Sequence, residues 1–109
     1  DTALLRQYGE VGVEQINDEA ALNLEVMPNP VIYSAKITYT LLSESHVSLS
    51  IYTITGIKIR TLSDDTRGPG EQSLTWDGVS DNGVPVRQGL YICVLKASNL
   101  QSSCKIIKY

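Results

Sequence analysis

Apolar and polar residues alternate along most of the chain with a period of two, in short runs broken by Gly, Pro, Asn and Ser. Leu22, Leu24 and Val26 open the series, and Ala35, Ile37, Tyr39 and Leu41 follow with Lys36, Thr38 and Thr40 between them. Val47, Leu49 and Ile51 alternate with Ser48 and Ser50, Ile57 and Ile59 with Lys58 and Arg60, and Leu74 and Trp76 with Ser73 and Thr75. Leu90 to Lys96 and Leu100 to Lys108 finish the chain as a hairpin around Ser98-Asn99. Successive side chains of a strand point to opposite faces, so each run half-buries one strand. No sustained helical period competes with this pattern.

Turn chemistry sets the boundaries. Met27-Pro28-Asn29-Pro30 stops the first run, because two prolines bar a regular ladder and favour an extended corner. The stretch WDGVSDNGVPVRQGLY, from Trp76 to Tyr91, reads as a strand end, a compound turn and a strand start. Asp77-Gly78 and Asn82-Gly83 are turn dipeptides, Pro85 sets an extended corner and Gly89 admits the next strand. A loop containing Arg67-Gly68-Pro69-Gly70 is expected to be mobile. Seven short strands with such spacing predict an all-β, seven-stranded antiparallel immunoglobulin-like β-sandwich. Residues 1-20 show no period and read as a linker or the end of a preceding domain, with a short strand or helical turn near Ala3 to Tyr8. The sandwich then occupies 21-109.

Composition narrows the function. At 109 residues, 42% of them hydrophobic, the chain fits one folded domain with a modest core. A net charge of −3, with the basic residues scattered, offers no basic stripe for a phosphate backbone, which argues against nucleic acid. No apolar run approaches the roughly 20 residues of a membrane-spanning helix. The chain opens at Asp1 without an initiator Met, which suggests a piece of a longer protein.

Candidate chemistry is thin. His46 is the only histidine and opens a strand on its polar register, so a Ser-His-Asp triad or a zinc site has little to build on. Asp77, Asp81 and Asn82 alternate with Gly as in a calcium loop, but lack the bidentate Glu of an EF-hand; Asx-turns explain the same residues. Asp64-Asp65 reads as a solvated loop pair, whose consecutive carboxylates point apart and cannot face each other across a glycoside. Trp76 shares a face with Leu74 and reads as core. Tyr91 fits a tyrosine corner, its hydroxyl tying the strand back to the preceding connection. No catalytic residue, cofactor or metal is expected.

The W-D-G, D-x-x-G and V-x-x-G-x-Y series of Trp76, Asp77, Gly78, Asp81, Gly83, Gly89 and Tyr91 resembles a known family. So do Pro28-Asn29-Pro30, the hairpin SHVSLSIYTITGIKIRTL from Ser45 to Leu62, and the last hairpin with Lys105 and Lys108 flanking two apolar residues. Together they are similar to type IX secretion type A C-terminal sorting domains, related to the immunoglobulin-like domain of the flagellar hook-capping protein. Met27 stands where an aromatic is usual, and Thr53 where an aspartate is usual. The resemblance implies a non-catalytic module at the end of a passenger exported by a Gram-negative bacterium. Such a module docks on an outer-membrane translocon, and a sortase cuts the linker before it, here between Val11 and Leu22. The product is secreted or held at the cell surface, by way of periplasm and outer membrane. Recognition is expected at Lys105, Ile106, Ile107, Lys108 and Tyr109, through a terminal strand edge with unpaired N–H and C=O groups and through the lysine charges. The alternative is an accessory β-sandwich, carbohydrate-binding or scaffold, of a larger extracellular enzyme. Fold alone does not choose between them.

A two-residue turn at Ser98-Asn99 places Cys93 opposite Cys104. Passage through an oxidising periplasm would allow a disulfide there, but only in a close, non-hydrogen-bonded pair. The alternative is two reduced cysteines used as small apolar residues.

Overall fold

Seven strands form along the alternating runs in the computed structural model, which describes residues 22–109. They are β1 (Glu25–Met27), β2 (Ala35–Leu41), β3 (Ser45–Thr53), β4 (Lys58–Arg67), β5 (Gly70–Trp76), β6 (Gly89–Ala97) and β7 (Leu100–Lys108). A three-stranded sheet has the order β1-β2-β5 and a four-stranded sheet the order β4-β3-β6-β7, and every strand pair is antiparallel. This is the all-β immunoglobulin-like sandwich that the periodicity predicts. The expected linker 1-20, with its strand or turn near Ala3 to Tyr8, lies outside the described residues.

The period of two sorts the side chains into layers. Ala35, Ile37, Tyr39 and Leu41 of β2 share one core with Val47, Leu49 and Ile51 of β3 and with Tyr91, Cys93, Leu95 and Ala97 of β6. Fully burying a large aliphatic or aromatic side chain contributes about 1.5–3 kcal/mol, so this shared core carries most of the stability. Trp76 is fully buried in it and meets the Tyr91 ring edge-on, with centroids 6.2 Å apart. Leu22, Val31 and Ile106 complete the cluster.

The connections differ in length, and the longest, residues 77–88, carries the chain from β5 in one sheet to β6 in the other. The β6–β7 hairpin turns through Ser98, at φ 57, and Asn99, and pairs Ala97 with Leu100 and Cys93 with Cys104, as a two-residue turn requires. The chain passes from β4 in one sheet to β5 in the other through residues 68–69 alone, where a longer loop was expected. β4 runs on to Arg67, so Asp64 and Asp65 are strand residues opposite Ser48 and Val47 and not a loop pair. β1 is shorter than its apolar run, because Asn23 adopts φ 52 and Leu22 drops into the core ahead of the ladder.

Candidate functional site at the edges of the four-stranded sheet

Pro28 and Pro30 have no N–H to give, and the side chain of Asn29 makes the ladder contacts in their place. Its Nδ2 donates to the Lys105 carbonyl at 2.8 Å, and its Oδ1 accepts from the Ile107 N–H at 2.9 Å. Two residues on, the Val31 N–H donates to the Ile107 carbonyl at 2.7 Å and the Val31 carbonyl accepts from the Tyr109 N–H at 2.8 Å. Val31 thus brackets Lys108 as a residue of a parallel strand would, and forms a parallel bridge with it. The Asn29 carboxamide brackets Ile106 in the same way. Residues 29–31 therefore act as a pseudo-strand along the outer edge of β7, with an amide side chain supplying one peptide group.

The same end holds the other motif residues. Lys108 Nζ donates to the carbonyls of Ile32, at 2.8 Å, and Tyr109, at 2.5 Å. Its stem lies over Gly78, where an added Cβ would stand 3.0 Å from Lys108 Cε and 3.1 Å from the Tyr33 carbonyl. Gly78 also sits at φ +78, in the left-handed region. Trp76 Nε1 donates to the Val79 carbonyl at 3.0 Å, which folds the turn back towards this corner. Proline segment, W-D-G turn and final lysine, far apart in sequence, converge.

This arrangement divides the five residues expected to be recognised. Ile106 is 0% exposed and faces the core, where it supports the strand. Lys108 is committed to carbonyls of its own chain, and the outward backbone from the Lys105 carbonyl to the Tyr109 N–H is engaged by Asn29 and Val31. The open edge expected at these residues is closed. Lys105, Ile107 and Tyr109 still present side chains to solvent, beside Ile32 and the 84% exposed Tyr33.

At the opposite edge of the sheet Asp81 closes β4. Its N–H donates to the Ile59 carbonyl at 2.9 Å, and its Oδ1 accepts from the Thr61 N–H at 3.0 Å, bracketing Arg60. The Arg60 guanidinium reaches Asp77 Oδ1 at 3.1 Å and the Val79 carbonyl at 3.1 Å, with Asp81 Oδ1 at 3.9 Å. The acidic residues that suggested a calcium loop thus face an arginine of their own chain. No cluster of three or more His, Cys, Asp or Glu able to hold a metal occurs among the described residues. Gly83, at φ +78, completes the turn by donating to the Ser80 carbonyl at 2.9 Å. Neither pairing by Asp81 nor capping by Asn29 follows from the periodicity, although an Asx among turn residues is the signal for both.

The remaining candidates are structural. His46 Nε2 lies 2.7 Å from Asp64 Oδ1, but both side chains are more than half exposed, so solvent screens the pair. Arg67, followed by Ser63, bonds the Asp65 carboxyl and holds it below the usual carboxylate range. The Tyr91 hydroxyl donates to the Arg87 carbonyl at 2.7 Å, tying β6 to the loop before it. Gly89 starts β6 at φ 157, close to an extended conformation. Cys93 and Cys104 face each other but are not bonded. Lys105 and Ile107 direct their backbone away from β6, so Cys104 must direct its own towards β6 and form a hydrogen-bonded pair with Cys93. That wider kind of pair holds Cβ atoms beyond the roughly 3.5–4.5 Å of a disulfide. Burial pushes the Cys93 thiol up to about 12.

A family model described as the FlgD Ig-like domain matches residues 33–101. Among solved structures, the chain is similar to dimeric latent PorU from Porphyromonas gingivalis, 27% identical over 78% of this chain and 9% of that one, with a TM-score of 0.60. PorZ from the same organism is described as an essential bacterial surface component of the type-IX secretion system. It is 18% identical over 85% of this chain and 12% of its own, with a TM-score of 0.59. FlgD from P. aeruginosa is 18% identical, over 78% of this chain and 75% of its own, with a TM-score of 0.56. The last two likenesses show the fold. This chain spans 9% of PorU and 12% of PorZ, a small part of either. No curated protein matches it by sequence.

Proposed function

The chain belongs to the FlgD Ig-like domain family, and we propose that it works there as a non-catalytic type IX secretion and sorting domain. It would direct an N-terminal passenger through the periplasm and an outer-membrane translocon to the cell surface. A sortase would cut between Val11 and Leu22, outside the described residues. The observation that carries this reading is the meeting of Pro28-Asn29-Pro30, Trp76-Asp77-Gly78 and the end of β7 at one corner. These are the motifs that resemble sorting domains, and together they build a surface that no one of them could form alone. Likeness to PorU, and to a surface component of the type IX system, supports the same context. The accessory carbohydrate-binding alternative has less support, because Trp76, the one tryptophan, is fully buried and cannot stack on a sugar.

In this reading Lys105, Ile107 and Tyr109 meet the translocon, while Ile106, Lys108 and Gly78 hold them in place. A passenger fused ahead of the domain should reach the surface of a host with a type IX system. Deleting the chain from Leu100 onward should leave the passenger in the periplasm. Since that deletion removes a core strand, the sharper test is Lys105→Glu combined with Tyr109→Ala, after circular dichroism has shown a folded domain. Surface delivery undiminished by the double variant would remove the proposed recognition role. Mass spectrometry of the delivered passenger locates the cut, and a C-terminus beyond Leu22 would argue against linker processing.

A further inference from the structure

We propose that the outer face of the four-stranded sheet is a docking surface for this chain's own acidic stretch, residues 1–20, which lies outside the described residues. Ile51 and Cys93 point into the core, so Tyr52, Ile92 and Val94 point away from it, and each is half-buried. Lys58 stands opposite Tyr52, Tyr52 opposite Ile92 and Ile92 opposite Lys105, so a lysine stands at each end of an apolar row that crosses all four strands. Lys96 follows Val94 on the same face. Tyr52, Ile54, Ile92, Val94 and Lys96 line a groove of about 300 Å³ there. All three lysines are exposed, and among the described residues none has an ion-pair partner. Asp64, the carboxylate on this face, is engaged by His46.

The sequence supplies the complement. Residues 1–20 hold five carboxylates, Asp1, Glu10, Glu14, Asp18 and Glu19, against one arginine, Arg6, a formal charge of −4; since the whole chain carries −3, residues 21–109 carry +1. Unpaired cations around an apolar floor suit an acidic partner with apolar side chains, and Glu10-Val11-Gly12-Val13-Glu14 is such a run. Extended, it spans about 13 Å, and the row from Lys58 to Lys105 crosses three strand spacings, about 14 Å. Laid across the strands, the run sets one carboxylate at each end of the row and its valines over Tyr52 and Ile92, with the lysine stems reaching up beside them. The eight steps from Glu14 to Leu22 span up to about 28 Å. Leu22 is buried in the core, and β1, which follows it, touches β7, so the outer face is within reach. The tether holds the run at a millimolar effective concentration, and a weak contact suffices. Docking does not depend on the sorting reading. Within that reading the stretch would cover Lys105 until a translocon displaced it, and the test below involves no export, so either idea can fail without the other.

A carbodiimide joins a carboxylate to an amine only where the two touch, and the full chain treated with it at low salt is read by mass spectrometry. Cross-links should join Glu10 or Glu14 to Lys58, Lys96 or Lys105 within one chain, and should pass over Lys36, which is exposed on the other sheet. Glu10→Gln with Glu14→Gln, which alters no residue of the seven strands, should move the backbone amide signals of Tyr52, Ile92 and Val94 in NMR. A synthetic peptide of residues 1–20 should bind this double variant roughly tenfold more tightly than the unaltered chain. That is the factor by which a tethered copy at about 1 mM competes when the contact has a dissociation constant of about 0.1 mM. Adding Lys58→Gln and Lys105→Gln should abolish the binding. Cross-links that favour Lys36, or cross-links between two chains, which would make a second copy the occupant, would overturn the proposal. So would equal peptide binding to the double variant and the unaltered chain, or equal binding of a scrambled peptide of the same composition.

Discussion

At the β4 edge a carboxylate and a main-chain N–H, both from Asp81, bracket Arg60, and the arginine turns back to Asp77. At the β7 edge a neutral carboxamide brackets Ile106, and the nearby charge, the Lys108 ammonium, bonds main-chain carbonyls and not the cap itself. The two caps share a geometry and differ in chemistry. β4 is guarded a second time by Asp64, Asp65 and Arg67 along its length, and a strand added there would have to desolvate these charges. β7 shows solvent Lys105, Ile107 and Tyr109, whose aliphatic and aromatic parts favour contact. One edge is capped by a charged side chain and the other by a neutral one.

The comparison can be broken most forcefully at the residue that serves both caps. Trp76→Ala should cost about 3–5 kcal/mol in urea unfolding, since it empties the core and frees the turn that carries both Gly78 and Asp81. Gly78→Ala separates the edges. Its Cβ collides with Lys108 and with the Tyr33 carbonyl, and its left-handed backbone becomes strained, for a loss of about 1–3 kcal/mol. Hydrogen exchange should rise at the Ile107 and Tyr109 amides and stay unchanged at Thr61; a reverse pattern would dissolve the distinction.

Asp81→Ala and Asn29→Ala set the caps side by side. The first should cost about 1–2 kcal/mol and the second about 1 kcal/mol, and only the first should shrink as salt is raised, because only it removes a charge. Equal salt dependence would show that the chemistry of the caps is irrelevant. Acid gives a smaller effect. Arg67 holds the Asp65 carboxyl below its ordinary value of 3.8, so this contribution is complete above that pH and fades as pH falls through the lowered value. Amides along β3 and β4 should then exchange faster, while Ile107, whose partner is a carboxamide, should not respond through its cap. The smallest effect lies in the β6–β7 hairpin. Iodoacetamide at neutral pH should label half-exposed Cys104 before buried Cys93, and mass analysis after unfolding should find two alkylatable thiols. A bridged pair would mean that the hairpin register differs.

The layers were legible because apolar residues alternate wherever a strand has one wet face. Ala35 to Leu41 and Val47 to Ile51 needed nothing else, and the hairpin register followed from a two-residue turn at Ser98-Asn99. β4 was read short because Ser63, Asp64, Asp65 and Thr66 form the end of an edge strand without an apolar alternation to betray it. Ile106 could have been placed correctly, since the hairpin register sets it opposite Tyr91, a residue already assigned to the corner of the sheet. The caps were hidden for another reason. Propensity describes what a residue does to its own backbone, whereas Asn29 and Asp81 act on the backbone of strands remote in sequence.

That remoteness fixes the order of events when the chain folds. The bonds from Asn29 to Lys105 and Ile107 join residues 76 and 78 positions apart. Contacts of such separation close large loops and form late. Everything up to β6 can be made, and can begin to pack, before the carboxamide has anything to hold. The bracket around Ile106 is therefore a mark of completion: a chain interrupted before Lys105 leaves Asn29 facing water, however well its other strands have assembled.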